Sequence, residues 1–193
     1  AMGVRHAGDL QDLLREYIDL RAGKIKEDPI KAKERELIGQ KPGVDFFPTP
    51  KAIANDLVDR ANIQEGDRVL EPSAGKGDIA DAIKEKHPNN ELDTVELSST
   101  LREFLELKNH KVSGWDFLEH TGEYDKIIMN PPFSKGQDVD HVRHAYSLLN
   151  PGGKIVAIMG EHPFFASDKK SVEFREWISD KGFDERLPEG SFK

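Results

Sequence analysis

Residues 68–96 read RVLEPSAGKGDIADAIKEKHPNNELDTVE. Arg68-Val69-Leu70-Glu71 is a short apolar run of strand type. Asp78 to Lys86 sets Ile79, Ala82 and Ile83 on one helical face, and Leu92 to Glu96 returns to a strand. A strand, a helix and a second strand in so short a span make a crossover unit with parallel strands. Downstream the alternation continues. Ser98 to Lys108 carries Leu101, Phe104 and Leu105 at helical spacing, Lys111 to Ser113 is a short strand, and Lys126-Ile127-Ile128-Met129 a stronger one. Val139, Val142, Ala145, Tyr146 and Leu149 form a helix face that stops at Asn150-Pro151-Gly152-Gly153. Lys154 to Met159 is a continuous apolar run, the pattern of a strand buried on both faces. Val172, Phe174, Trp177 and Ile178 lie on a last helix ended by Gly182, and Phe183 to Leu187 is expected to begin a final strand. The pattern predicts an α/β fold with a doubly wound, mostly parallel sheet, which binds ligands at the carboxyl ends of its strands.

Upstream the pattern is helical. Asp9 can cap a helix bearing Leu10, Leu13, Leu14, Tyr17 and Ile18, and Pro29 can start a second. In Phe46-Phe47-Pro48-Thr49-Pro50, Thr49 is placed to cap a helix with Pro50 in its first position and Ile53, Leu57, Val58 and Ala61 inward. This divides the chain into an N-terminal, partly basic helical extension, 1–45, and a main domain, 46–193. Ala1-Met2-Gly3 reads as a cloning scar.

At 193 residues the chain has the length of one domain with a short addition. Without cysteine it has no disulfide, thiolate metal site or cysteine nucleophile, and a reducing, cytoplasmic compartment is the expectation. No apolar run approaches the ~18 residues of a membrane span. The net charge of −8 argues against gripping nucleic acid with the whole surface. Charge is uneven, however: seven basic residues face four acidic ones between Arg21 and Lys41. Nucleic acid, if bound, is bound locally and weakly.

Function is expected just after each strand. Glu71-Pro72-Ser73-Ala74-Gly75-Lys76-Gly77-Asp78 is a glycine turn entering a helix N-terminus. It is not a phosphate-binding P-loop, because Leu70 stands where that motif needs its first glycine and Gly77 where it needs Ser or Thr. Glu96, closing the second strand, can accept both hydroxyls of a ribose diol. Asp116-Phe117 follows the third strand and offers an acceptor and a ring to a planar base; the alternative is a helix cap and a core aromatic. Asn130-Pro131-Pro132-Phe133 follows the fourth strand and is the most specific feature. Two prolines there prevent a continuing ladder or helix and make a rigid loop. The Asn130 amide oxygen and the Pro131 carbonyl are two acceptors that suit an –NH2 group, and Phe133 offers a stacking face. His141 and His144, spaced i, i+3, lack an evident third metal ligand and read as one partly exposed helix face; no metal is expected.

Glu-Pro-x-x-Gly-x-Gly followed by Asn-Pro-Pro-Phe 55 residues after Gly75 resembles the class I S-adenosylmethionine-dependent amino-methyltransferases, whose fold is Rossmann-like. The Phe-Phe-Pro-Thr-Pro segment ahead of the glycine turn is similar to adenine-N6 DNA methyltransferases, most closely domains encoded by phages and mobile elements. The resemblance covers about residues 28–193. It implies that Phe47, Thr49 and Pro50 line the methionine end of S-adenosyl-L-methionine. It further implies that Glu71, Ser73, Gly75, Gly77 and Asp78 surround the cofactor, that Glu96 and Leu97 hold the ribose side, and that Asp116 and Phe117 hold the adenine. Asn130, Pro131, Pro132 and Phe133 would be the catalytic loop, with Asn130 also at the cofactor, and Phe133 with Phe164 or Phe165 would receive the target base.

Similar loops occur in methyltransferases of ribosomal RNA amino groups and of a release-factor glutamine amide. A cofactor-binding module with a regulatory or partner-binding role is the reading from another class. Enzymes of this motif order continue into a recognition region after the last motif, whereas this chain ends at Ser191-Phe192-Lys193, so it is expected to be a domain of a longer polypeptide.

Overall fold

The computed structural model describes residues 14–15, 17–19, 21–23, 28–37 and 47–192. The chain divides into two units, residues 1–40 and 41–193. In the first, the backbone is helical at 14–15, 17–19 and 21, and α1 (Pro29–Leu37) starts at its proline as expected, with the Asp28 carboxylate accepting from the Ile30 N–H at 3.0 Å. Leu14, Tyr17 and Ile18 are exposed; Asp9, Leu10 and Leu13 lie outside the described residues.

The second unit runs α2 (Lys51–Ala61), β1 (Arg68–Pro72), α3 (Asp78–Lys86), β2 (Glu91–Val95), α4 (Ser99–Leu107), β3 (Lys111–Gly114), β4 (Tyr124–Met129), α5 (Gln137–Ser147), β5 (Leu149–Ala157), α6 (His162–Phe165) and α7 (Lys169–Ser179). The five strands form one parallel sheet in the order β3-β2-β1-β4-β5. This is the Rossmann-like, doubly wound arrangement. Strand order reverses between β1 and β4, so a crevice opens above their carboxyl ends.

Alternation along each strand feeds two cores. Val69 of β1 and Ile128 of β4 face a cluster with Ala54, Leu57 and Val58 of α2 and Ile79 and Ile83 of α3. Leu70, Ile127 and Met129 face the other side with Val139, Val142 and Ala145 of α5 and Phe174 of α7. Both faces of β1 and β4 are thus buried, which explains their nearly unbroken apolar runs.

Three expectations are corrected. Asn150-Pro151-Gly152-Gly153 does not separate helix from strand. It lies inside β5 as an irregularity: Tyr124 pairs with Leu149 and Lys126 with Lys154. Asn150 Nδ2 donates to Asp125 Oδ1 at 2.8 Å, and a Cβ on Gly153 would fall 3.0 Å from the Asp125 carbonyl, so the turn residues fit a tight bulge. Nor is β5 buried on both faces; it is one of the sheet's two edges among the described strands, and Ile155, Val156 and Ala157 are only partly covered. Residues 183–187 form no strand. They run irregularly, with Phe183 exposed, Leu187 packed on the first core and Glu185 paired to Arg60 at 2.8 Å.

Gly77 shows how packing fixes the turn above β1. It sits at φ +78°, and a Cβ there would lie 2.7 Å from Leu105 Cδ2 and 3.2 Å from the His110 ring. Gly77→Ala combines left-handed strain with overpacking, about 2–4 kcal/mol in all. Thermal unfolding of this variant is expected to shift down by about 5–10 °C.

Candidate functional site

The turn after β1 is built by three residues of positive φ, Ser73 (+56°), Gly75 (+57°) and Gly77 (+78°). The Gly77 N–H closes it on the Ala74 carbonyl at 2.8 Å. Glu96, at the end of β2, clamps it: Oε2 accepts from the Gly75 N–H at 2.7 Å and Oε1 from the Ser98 N–H at 2.8 Å. Each carboxylate oxygen keeps a lone pair for a ligand hydroxyl. On the outer side, Lys108 Nζ donates to the Lys76 carbonyl at 2.9 Å and to Asp81, which also meets His110 Nε2 at 2.7 Å.

Three acids crowd this end of the crevice. Glu71 is 2% exposed; burial, reinforced by Asp78, Asp81 and Glu96, pushes its carboxyl well above the usual range against one bond from the Ala80 N–H. Its Oε2 is buried without a hydrogen-bond partner. Burial likewise raises Asp78, whose Oδ2 accepts from the Thr49 N–H at 3.0 Å, and Glu96. The donor set fits a cationic ligand: an added positive charge would relieve all three.

The loop after β4 meets the segment before α2. Asn130 Nδ2 donates to the Thr49 hydroxyl at 3.1 Å and to the Phe47 carbonyl at 3.2 Å. A carbonyl only accepts, so the amide orientation is determined, and Oδ1 is left buried without a partner. Thr49 therefore does not cap α2 as expected; Pro50 holds the cap position without a side-chain bond, and the Thr49 hydroxyl serves Asn130 instead. The Phe47 and Phe133 rings lie nearly parallel, centres 6.1 Å apart at 23°. Beyond Phe133, Lys135 and Gly136 take positive φ, and Lys170 Nζ pins the Gly136 carbonyl at 2.7 Å. The buried Asp138 carboxylate accepts from the Gly160 N–H at 3.0 Å, which ties α5 to the loop after β5.

These groups surround a cavity of about 410 Å³, a size suited to a small organic ligand. Phe47, Thr49, Glu71, Ser73, Gly75 and Asp78 line it, as do Glu96, Leu97, Asp116, Phe117, Asn130 and Pro132. Pro50, Gly77, Pro131, Phe133, Phe164 and Phe165 do not. Gly77 is beneath the turn, against Leu105. Pro131 is buried, and Phe133 lies beside the Phe47 ring and packs on the first core. Phe164 packs on Phe174 in the second core, whereas Phe165 is 70% exposed beside His162. Asp116 caps the turn at 117–119 by accepting from the Leu118 N–H at 2.9 Å, and Phe117 is a core residue, yet both also form cavity wall.

Lys76, Trp115, Leu118, Gln137 and His141 also line the cavity, although no sequence motif marks them as site residues. Trp115 is 70% exposed at the rim beneath the Arg102 guanidinium, 5.2 Å from the ring centre. His141 and His144 do not share an exposed face: His141 is buried, and His144 bonds the His120 carbonyl at 2.9 Å. The position of a helix start relative to a strand end decides which of these side chains reach the cavity, and no local motif marks it.

The model of the methyltransferase small domain family matches residues 54–170. No curated protein matches the sequence. Among solved structures, a candidate RNA methyltransferase of Pyrococcus horikoshii superposes with a TM-score of 0.53 at 21% identity, over 70% of this chain and 68% of that one. A precorrin-6y C5,15-methyltransferase of Geobacter metallireducens gives 0.51 at 19% identity, over 69% and 78%. DesVI of Streptomyces venezuelae matches at 18% identity with a TM-score of 0.45, over 55% of this chain and 49% of that one. The chain thus spans about half the length of DesVI, 60% of coclaurine N-methyltransferase and 34% of PigF. At such identities the likeness concerns the fold. No described helix is long and apolar enough to cross a membrane.

A carboxyl whose pKa is raised by folding destabilises the fold as pH rises, from about 4.3, where the unfolded glutamate ionises, up through the raised folded value. Removing the charge at Glu71 should therefore stabilise the ligand-free protein. Glu71→Gln is expected to raise Tm by a few degrees at pH 7.5 and to leave it unchanged near pH 3.5. Thermal melts of both proteins across that range check the sign, and a lower Tm for Glu71→Gln at pH 7.5 contradicts it.

Proposed function

Because this chain belongs to the methyltransferase small domain family, we propose that its cavity binds S-adenosyl-L-methionine and that the domain methylates the exocyclic N6 amine of adenine in DNA. Groups along the cavity suit the successive parts of such a cofactor. Glu71 and Asp78 offer negative charge to its ammonium and sulfonium groups, Glu96 offers acceptors to its ribose, and Asp116 and Phe117 offer an acceptor and a ring to its adenine. When bound, the cofactor supplies an electrophilic methyl group that needs little further activation.

The nucleophile is the harder partner, because an adenine amine shares its lone pair with the ring. The observation that carries the reading is the Asn130 oxygen, held without a donor by the two bonds its nitrogen makes. Asn130 Oδ1 and the Pro131 carbonyl accept the two amine hydrogens, favour a pyramidal nitrogen and stabilise the positive charge that develops on it. Stacking of the target on the Phe133 face holds the nitrogen in line for transfer. In duplex DNA the base must first leave the stack, at a few kcal/mol. The negative overall charge means weak, local contact with nucleic acid.

Labelled cofactor incubated with duplex DNA, single-stranded DNA and ribosomal RNA, followed by nucleoside analysis, tests the target. N6-methyladenine in DNA supports the reading; label only in RNA transfers it to the class of the Pyrococcus horikoshii neighbour. Asn130→Ala is expected to abolish transfer while S-adenosylhomocysteine affinity stays within about tenfold, or ~1.4 kcal/mol. Thr49→Val, which removes the acceptor for Asn130 Nδ2, is expected to lower kcat at least about tenfold with little change in cofactor KM, and Thr49→Ser to restore it. Equal losses of affinity and rate in Asn130→Ala contradict the role given to Asn130.

A further inference from the structure

His141 is 6% exposed on α5, and its Nδ1 lies 2.8 Å from the Gln137 carbonyl. Since that oxygen can only accept, Nδ1 carries the ring hydrogen. Burial lowers the pKa of the imidazole against the opposing pull of the Gln137 bond and of Asp140 and Asp116, with His144 adding to the lowering. The neutral ring has a bare lone pair at Nε2, and no described group donates to it. The ring tilts against Phe117, centres 5.4 Å apart, and both side chains line the cavity beside Asp116 and Gln137. Asp116 gives one oxygen to the Leu118 N–H and keeps the other.

We propose that His141 is a specificity-determining residue whose Nε2 accepts a hydrogen from the exocyclic amine of the cofactor's adenine. This rests on the reading of the cavity as a nucleoside site. The amine has two hydrogens, and Asp116 and His141 supply two acceptors from different elements, the turn after β3 and helix α5. A purine with oxygen at that position would set acceptor against acceptor at the buried His141 ring, where an unmatched polar pair discriminates more strongly than at the exposed Asp116. Phe117 cannot make this distinction, because its face stacks on either ring.

The test is calorimetric binding of S-adenosylhomocysteine and its hypoxanthine analogue, S-inosylhomocysteine, to the wild type, His141→Phe and His141→Gln, with Tm measured for each. The wild type is expected to prefer the adenine compound by at least about thirtyfold. His141→Phe keeps a ring against Phe117 but loses the acceptor; its affinity for the adenine compound falls about tenfold and the preference narrows accordingly. His141→Gln can present either end of its amide, so it binds both compounds and also narrows the preference, which keeps the test open should the phenylalanine variant fold poorly. Equal weakening of both compounds in either variant, or no preference in the wild type, overturns the assignment and leaves the cavity reading standing. Failure of the wild type to bind S-adenosylhomocysteine overturns the cavity reading and this inference together.

Discussion

The site depends on where the two hydrogens of the Asn130 amide go. Both are taken by the segment before α2, one by the Phe47 carbonyl and one by the Thr49 hydroxyl. The amide cannot turn over without setting its oxygen against that carbonyl, so Oδ1 stays fixed and unsatisfied. A buried acceptor without a donor costs about 1–3 kcal/mol. The fold carries that cost because the surrounding bonds are many. The Thr49 N–H is tied to Asp78 at the start of α3, and Asp78 follows the turn that Glu96 clamps. One chain of hydrogen bonds thus joins the ends of β4, β1 and β2 through a segment that belongs to none of them.

Electrostatics adds a second deficit of the same kind. Glu71, Asp78 and Glu96 are all pushed toward their protonated forms, by burial first and for Glu71 by one another. Nearby cations do not relieve Glu71: Lys108 is engaged by Asp81 and the Lys76 carbonyl on the outside of the turn. Such a cavity is poised for a positively charged ligand and for a hydrogen-bond donor at Asn130. Both deficits lie in one crevice at the reversal of strand order, where the parallel sheet leaves room for a ligand.

The alternation of elements was legible because β1 and β4 are buried on both faces and each helix shows one apolar stripe. The glycine turn, Glu96 and the Asn-Pro-Pro-Phe loop were legible because tight turns and rigid loops demand particular residues. Other features answer to tertiary context. Asn150-Pro151-Gly152-Gly153 has the chemistry of a stop, but Gly153 packs against the Asp125 carbonyl and Asn150 bonds the Asp125 side chain, so the strand continues through it. Thr49-Pro50 has the chemistry of a helix cap, but Asn130, 81 residues further on, claims the hydroxyl. Gly77 looks like a ligand-contact glycine and is needed for Leu105 and His110. In each case the local signal names the right residue and a distant partner assigns its use.

The loop after β4 also shows why two prolines alone do not make the site. They stiffen the loop, but its aim comes from contacts made after Phe133. There Lys135 and Gly136 reverse the chain in left-handed conformations, Lys170 of α7 holds the Gly136 carbonyl, and Asp138 holds Gly160. Because Asp138 is buried and bonded to backbone, it positions α5 rather than touching a ligand. The same helix start brings Gln137 and His141 to the cavity. The loop that presents Asn130 and the helix that presents His141 are therefore set by one group of contacts, and a shift of α5 would disturb the acceptors at both places together.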